Sequence, residues 1–296
     1  MMLARPGLPD FEYIKAETFQ DVFDYMKEKG DDLKLLMGGT DLFIQMRDRG
    51  EGPGFLLDVK GLPGMQEISF DRKNGLKVGA AATLNALSSH PNLLTYYDVL
   101  CRAADTVGNY QLRNLATIGG NFCNASPSAD MSPAALIYDG RVVVEGPGGE
   151  RELSLDEFWV GPGKTAMEKD EFLKRIHFPT PPDNAVGCYL KLGRSKMGDL
   201  AIVGVAVLAY PDPSTSAGIQ FRIGINSTAP TAYRVPSVEE YLAQNPVSEE
   251  TLHKAADMAM DISAPIEDQR ATAIYQKKMV RNLVYKGLKE AWDALK

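Results

Sequence analysis

The hydrophobic and polar positions of this chain fall into short apolar runs bounded by glycine or proline and into longer stretches of helical period. Within residues 18–29 the apolar side chains recur every three or four positions and Gly30 follows them, which predicts an amphipathic helix. Further helices are predicted at 41–49, 83–89 and 92–107. Apolar runs between turn residues predict strands at 34–37, 54–59, 67–70, 75–80 and 171–178.

Beyond residue 178 the pattern changes to longer strands. A proline cluster at 179–182 marks a candidate domain boundary, because proline fixes its own backbone and lacks an N–H group. Strands are predicted at 187–194, 201–210 and 218–225, and the turn residues between them favour an antiparallel sheet. Helices predicted at 248–263 and 272–295 are expected to pack across this sheet.

The composition argues against several classes of protein, namely nucleic-acid-binding, membrane-spanning, disulfide-rich and metal-cluster proteins. The 296 residues are enough for two domains, and the formal net charge of -7 without a long Lys or Arg block argues against a nucleic acid partner. The chain has no apolar signal segment near residue 1, and its longest apolar run is too short to span a bilayer, so we expect a cytoplasmic protein without a membrane span. Three scattered cysteines, Cys101, Cys123 and Cys188, argue against a disulfide framework and against a complete iron–sulfur or zinc site.

Two glycine pairs carry the strongest functional signal. The first lies in the segment 36–42 and the second in the segment 117–121. Each follows an apolar run, so each is predicted to be a strand that ends in a tight turn, where bare backbone N–H groups can approach an anion. Two such turns suit the diphosphate of a dinucleotide held from both sides. The first segment matches neither the Rossmann fingerprint nor the P-loop.

Several polar residues near these segments have two interpretations. Thr40 and Thr117 place hydroxyl groups beside the glycines, whereas Asp41 is interpreted as the N-terminal acid of a helix. Asp130 is either the N-cap of the next helix or a carboxylate that accepts hydrogen bonds from sugar hydroxyls. The strand pattern alone favours a solvated face for Lys191. The three histidines share no metal spacing, and no nucleophile or acid–base pair is recognised.

Residues 36–42 and 113–121, which contain the two glycine pairs, together with Asn-Ala-Ser-Pro-Ser-Ala-Asp at 124–130, resemble the FAD-binding subunit of the molybdenum hydroxylases, such as xanthine dehydrogenase and carbon monoxide dehydrogenase. The resemblance continues in order from 161–165 to Tyr275 and so covers nearly the whole chain. It implies an α+β fold of two domains. The first, 1–180, would be a FAD-binding domain of the p-cresol methylhydroxylase (PCMH) type. The second, 184–296, would be a CO dehydrogenase flavoprotein C-terminal-like domain, an antiparallel sheet with helices.

The resemblance also implies a cofactor site for FAD. The first loop would surround the diphosphate, and the second would also touch FAD. Asp130 is expected on the ribityl or adenosine side, and Lys191 near the pyrimidine end of the flavin. The implied cofactor-binding residues are Leu36, Met37, Gly38, Gly39, Thr40, Asp41, Leu42, Thr117, Gly119, Gly120, Asn121, Asn124, Asp130, Leu173 and Lys191.

The activity implied by the resemblance is electron transfer. FAD would exchange electrons with the [2Fe–2S] clusters of a ferredoxin-like subunit and with NAD(H) or another acceptor. A molybdopterin-containing large subunit would act on the substrate, so neither a catalytic residue nor a metal ligand is expected in this chain. Two alternatives stay open: a free-standing FAD-dependent oxidoreductase of the vanillyl-alcohol oxidase superfamily, and a non-catalytic nucleotide-binding or assembly protein.

Overall fold

A small parallel sheet forms the first layer of the structure, a computed structural model that describes residues 7–195, 198–267 and 269–296. Its strands are β1 (Glu12–Lys15), β2 (Leu33–Leu36) and β3 (Phe55–Asp58), and β3 lies between the other two. Parallel neighbours need crossover connections, which are α1 (Phe19–Lys29) and α2 (Leu42–Arg49). A capping box of Thr18 and Asp21 begins α1, and a short 3-10 turn, Gly30–Asp32, follows it.

The second sheet is antiparallel. Its strands are β4 (Ile68–Asp71), β5 (Gly75–Gly79), β6 (Arg141–Gly146), β7 (Gly149–Ser154) and, after the hairpin of β8 (Trp159–Gly161) and β9 (Lys164–Thr165), β10 (Phe172–Phe178). They lie in the order β4–β5–β10–β6–β7. The helices that join β5 to β6 are α3 (Leu84–Ser88), α4 (Pro91–Tyr96), α5 (Asp98–Asp105), α6 (Tyr110–Arg113), α7 (Ile118–Asn124) and α8 (Met131–Ile137). The helix α9 (Leu155–Phe158) follows β7.

The helix predicted over 92–107 is two helices in the structure, α4 and α5, which meet at Tyr97. This residue is fully buried, and its backbone angles, φ -133° and ψ 38°, are not helical. Its hydroxyl donates to the carbonyl oxygens of Pro179 at 3.0 Å and Phe178 at 3.3 Å. A buried phenol needs such partners, and here that need overrides the local helical pattern.

The C-terminal sheet is antiparallel, as the sequence predicts. It consists of β11 (Val186–Leu192), β12 (Val203–Pro211), β13 (Ile219–Asn226) and β14 (Tyr233–Arg234), paired in chain order. Of the predicted helices, α12 (Ala273–Ala294) packs over the strands, whereas α11 (Glu249–Ile262) packs mainly on α12. The sequence analysis missed α10 (Pro236–Gln244), which packs on β13.

Strand β12 is buried on both faces, although it belongs to an antiparallel sheet. Its side chains alternate, so that Val205 and Val207 join the core beneath α11 and α12, whereas Ala206 and Leu208 join the core of the N-terminal part. This accounts for its nearly continuous apolar sequence. The C-terminal sheet therefore packs directly on the part of the chain that carries both glycine segments. No helix within the described ranges is long and apolar enough to cross a membrane.

Candidate functional site

A cavity of about 1300 Å³ lies where the loops after β2 meet α7 and the beginning of β10. Fourteen of the fifteen residues implied by the resemblance line it, and Lys191 is the exception. Typical sites for drug-sized ligands enclose about 300–1,000 Å³, so this cavity is large enough for a dinucleotide. The lining also includes residues that the sequence analysis did not select, among them Val107, Gly108, Ser126, Ser128 and Leu200. Of these, the two serines lie within the 124–130 motif and could have been found from it.

The first glycine segment has the predicted arrangement of strand, turn and helix. Strand β2 ends at Leu36, Gly39 has a left-handed φ of 69°, and α2 begins at Leu42. Across the described residues, the backbone N–H groups of 38–41 have no hydrogen-bond acceptor. These four groups line the cavity and precede an eight-residue helix, where the helix dipole favours negative charge. This turn is therefore suited to bind a diphosphate.

Asp41 occupies the N-cap position of α2, as its interpretation as a helix-terminal acid requires. Its side chain makes no capping hydrogen bond. Burial raises the pKa of its carboxyl above the usual value.

The second glycine segment is not the predicted strand and turn, and that prediction is wrong. Residues 118–124 form α7, and Thr117 is its N-cap, with its Oγ1 accepting the N–H of Gly120 at 3.0 Å. The N–H groups of Ile118 and Gly119 donate to the carbonyl oxygens of Ala82 and Ala80, at 3.1 and 2.9 Å. Because these amides already have partners, this segment cannot bind an anion through them.

The two glycines of this segment have different surroundings. A Cβ added to Gly119 would lie 2.5 Å from the carbonyl oxygen of Ala80, so this glycine permits close packing of the backbone. Outside the backbone of its own helix, and among the described residues, a Cβ added to Gly120 would meet within 4 Å only the Oγ1 of Thr117, at 2.9 Å. Gly120 lines the cavity and leaves space there for a ligand.

Asn121 offers a polar atom that needs a partner. Its Oδ1 is buried and accepts no hydrogen bond from the residues that the structure describes. Buried acceptors are normally satisfied, and this one belongs to a side chain that lines the cavity. A hydroxyl or N–H donor of a bound ligand would satisfy it, which fits the hydroxyl-bearing chain of FAD.

The two glycine segments form one continuous wall. A Cβ on Gly38 would lie 2.2 Å from the carbonyl oxygen of Leu115, so the first loop touches the backbone just before the second segment. The Oγ1 of Thr117 lies 3.9 Å from the Sδ of Met37. Farther along, Gln45 of α2 donates to the Oδ1 of Asn124 at 3.4 Å.

Asp130 and Lys191 form a buried ion pair at the cavity wall. The ammonium of Lys191 donates to Oδ2 of Asp130 at 2.7 Å and to the carbonyl oxygen of Thr106 at 3.0 Å. Its side chain is 12% exposed, so the solvated-face interpretation is wrong. The hydroxyl of Tyr189 donates to Oδ1 of Asp130 at 2.7 Å. Asp130 precedes α8 but makes no capping bond. Burial raises the pKa of Asp130, and Lys191 opposes that effect.

Two further side chains complete the lining. Leu173 on β10 is buried and presents an apolar surface to the cavity. Burial raises the pKa of the Cys123 thiol to about 12, which leaves almost no thiolate at neutral pH. Among the described residues, no group of three or more His, Cys, Asp or Glu side chains is placed to hold a metal ion.

Comparisons with known proteins agree with this geometry. The family model described as the FAD binding domain in molybdopterin dehydrogenase matches residues 9–181, and the CO dehydrogenase flavoprotein C-terminal domain matches residues 188–291. The carbon monoxide dehydrogenase medium chain of Hydrogenophaga pseudoflava is 31% identical over 284 residues, which are 96% of this chain and 98% of that one. The putative xanthine dehydrogenase FAD-binding subunit of Escherichia coli (strain K12) is 29% identical over 280 residues, or 94% and 95% of the two chains.

A solved structure shows the same fold. A chain of carbon monoxide dehydrogenase from Hydrogenophaga pseudoflava superposes with a TM-score of 0.92 at 30% identity, over 98% of this chain and 99% of that one. The free N–H groups, the unpartnered Asn121 oxygen and the space beside Gly120 fit the cofactor that this family binds. The chain therefore belongs to the FAD-binding subunits of the molybdenum hydroxylase family, an oxidoreductase family, and its cofactor is FAD.

Proposed function

We propose that this chain is the electron-transfer subunit of a heteromeric molybdenum hydroxylase. In this proposal it passes electrons between the [2Fe–2S] clusters of a ferredoxin-like subunit and NAD(H) or another acceptor, and a molybdopterin-containing large subunit acts on the substrate. The relatives that support it are named as a medium chain and as a FAD-binding subunit, and the chain matches them over 98% and 95% of their length. We retain 1–180 and 184–296 as its domains and the cytoplasm as its location.

The observation that carries the proposal is the run of four free N–H groups, 38–41, in a cavity of about 1300 Å³. These groups bind the diphosphate, and Gly120 leaves room for the chain attached to it. Asn121 accepts a hydrogen bond from a hydroxyl group of FAD through its amide Oδ1. Asp130 accepts one through its carboxylate oxygens. Lys191 pairs with Asp130 and favours its ionised form, against the effect of burial. When bound, FAD supplies one-electron and two-electron exchange, which suits contact with both clusters and nicotinamide.

The first experiment is native purification followed by a visible absorption spectrum and the identification of every co-purifying chain. We expect flavin bands, the broad absorption of [2Fe–2S] clusters, and two companion chains. Flavin bands on a single chain would overturn the proposal in favour of a free-standing FAD-dependent oxidoreductase. A protein that binds no flavin even after FAD is added would be the non-catalytic alternative.

The acceptor is tested on the same sample under anaerobic conditions. Addition of NADH is expected to bleach the flavin bands if NAD(H) is the acceptor. An unchanged spectrum, in a sample that dithionite bleaches, would show that the acceptor is a different compound. The test therefore separates the identity of the acceptor from the ability of the flavin to take up electrons.

A further inference from the structure

The segment 127–130 contributes Ser128, Ala129 and Asp130 to the cavity wall, and each of its four residues accepts a hydrogen bond from the C-terminal part of the chain. The donors to Asp130 are Tyr189 and Lys191 on β11. The remaining bonds run from Asn226 Nδ2 to the Ala129 carbonyl oxygen at 2.8 Å, from the Ser227 N–H to the Pro127 carbonyl oxygen at 2.8 Å, and from the Arg270 guanidinium to the Ser128 Oγ at 3.1 Å. This segment is thus attached to the C-terminal sheet and its neighbouring loop at every residue.

Two of these donors lie where water cannot replace them. Asn226 is 0% exposed and Tyr189 is 8% exposed. Burial raises the pKa of Tyr189, so its hydroxyl remains protonated and donates to Asp130. A buried acceptor that loses its donor must either stay unsatisfied or move, and both outcomes change the wall.

Gly204 on β12 makes room for both donors. A Cβ at this position would lie 2.5 Å from Oδ1 of Asn226 and 2.6 Å from the hydroxyl oxygen of Tyr189. The absence of a side chain therefore lets the sheet hold the two polar groups side by side. None of Gly204, Tyr189 and Asn226 lines the cavity itself.

We infer that Tyr189 and Asn226 are positioning residues for FAD, which hold Ala129 and Asp130 in the arrangement that the cofactor binds. The C-terminal sheet is then an integral part of the FAD site. This inference rests on the placement of FAD in the cavity described above. It predicts that FAD affinity depends on side chains that do not touch the cavity.

The test compares Tyr189→Phe with Tyr233→Phe in the full-length protein, purified with any companion chains, stripped of FAD and titrated with it. Tyr233 is a matched control because it lies on the same sheet and, among the described residues, its hydroxyl bonds with Thr228, at 3.0 Å, and not with 127–130. Loss of one hydrogen bond to a charged group predicts a rise of about tenfold in the Kd for FAD in Tyr189→Phe. Tyr233→Phe is expected to bind FAD as the parent protein does.

A double-mutant cycle separates positioning from general stability. If Tyr189 acts through the carboxylate, Tyr189→Phe weakens FAD binding much less in an Asp130→Asn background than in the parent.

The pH profile gives a second readout. The titratable groups that face Asp130 are Lys191 and Tyr189, and removal of the hydroxyl raises the pKa of Asp130 further. As the pH is lowered, Asp130 becomes protonated and loses its capacity as a purely accepting group. The affinity for FAD should therefore begin to fall at a higher pH in Tyr189→Phe than in the parent protein.

A second pair of variants covers the case in which the tyrosine variant folds poorly. Gly204→Ala pushes against both positioning groups, and Gly287→Ala places a methyl 2.8 Å from Val207 on the other face of the same sheet. We expect only Gly204→Ala to weaken FAD binding after both are matched for melting temperature. Equal FAD affinities in Tyr189→Phe and the parent, with Asp130→Asn weakened, would overturn this inference alone. Unchanged affinity in Asp130→Asn and Gly120→Val would instead show that FAD lies elsewhere.

Discussion

Gly120 is the position at which a single substitution tests the placement of FAD with the least disturbance of the protein. Its Cβ would point into the cavity and meet only the Oγ1 of Thr117, at 2.9 Å. Gly120→Val therefore adds three carbon atoms that extend mainly into the cavity, where the ligand is expected to lie. Gly39 is a less suitable target, because its φ of 69° and a Cβ 2.6 Å from the Phe43 ring would strain the loop as well.

The expected size of the effect follows from these contacts. Forcing extra methyl groups into an occupied site costs about 1–3 kcal/mol, which corresponds to a rise of roughly 5- to 150-fold in the Kd for FAD. The contact of the added Cβ with Thr117 puts the cap at risk, which is worth about 1 kcal/mol, and valine recovers a few tenths of that through its helix propensity. A net change of this size is small against a typical stability of about 5–15 kcal/mol.

The assay is an FAD titration of the stripped protein, with thermal unfolding of the same FAD-free samples. Gly119→Ala is the contrasting variant, because its Cβ would lie 2.5 Å from a backbone oxygen and should lower the melting temperature. Gly148→Val is the neutral control, since nothing lies within 4 Å of its Cβ. A Kd within threefold of the parent value in a folded Gly120→Val protein would refute the placement of FAD beside α7.

Further predictions concern the charged and thiol groups. Lys191→Met leaves the buried carboxylate of Asp130 without its cation and should lower the free energy of unfolding by about 3–5 kcal/mol in urea titrations, with Asp130→Asn restoring most of the loss. A double variant as unstable as the single one would contradict this. Arg175 is the main cause that lowers the pKa of Glu150 from 4.5 to about 2, so the stability from this ion pair is present above pH 4.5 and is lost as the pH falls toward 2. The difference in melting temperature between the parent and Glu150→Gln should therefore shrink over that range, whereas a constant difference would show that the pair contributes nothing. With its pKa raised to about 12, Cys123 carries roughly 1,000-fold less thiolate at pH 8 than free cysteine and should react with iodoacetamide more than about tenfold more slowly, as followed by peptide mass spectrometry. A rate within tenfold of free cysteine would contradict the raised pKa.

Local sequence signals were sufficient for the first glycine segment. An apolar run, then Gly38 and Gly39, then a polar residue before a helical pattern, specified the strand, the turn and the helix α2. The C-terminal sheet was also predictable, because its strands are long and separated by clear turn residues. In these places the local preference of the chain agrees with its tertiary structure.

The second segment was mispredicted because tertiary hydrogen bonds decide its structure. Ile118, Gly119, Gly120 and Asn121 have weak helix propensities, yet they form α7 because their amides find acceptors in Ala80, Ala82 and the Thr117 cap. Lys191 was likewise undecidable from its strand alone, since its partner Asp130 lies 61 positions earlier in the chain. Pairing of such distant residues depends on how the C-terminal sheet packs, which no local pattern contains.

The four glycines that first suggested a nucleotide site have different structural roles. Gly38 and Gly119 are required by the protein itself, because a Cβ on either would lie within 2.5 Å of a carbonyl oxygen. Gly39 is required by its left-handed φ and by the adjacent Phe43 ring. Only Gly120 would direct a side chain mainly into the cavity. A Gly-Gly pair is therefore weak evidence of a ligand by itself, and the surroundings of each missing Cβ distinguish the glycine that leaves space in the cavity from those that the fold requires.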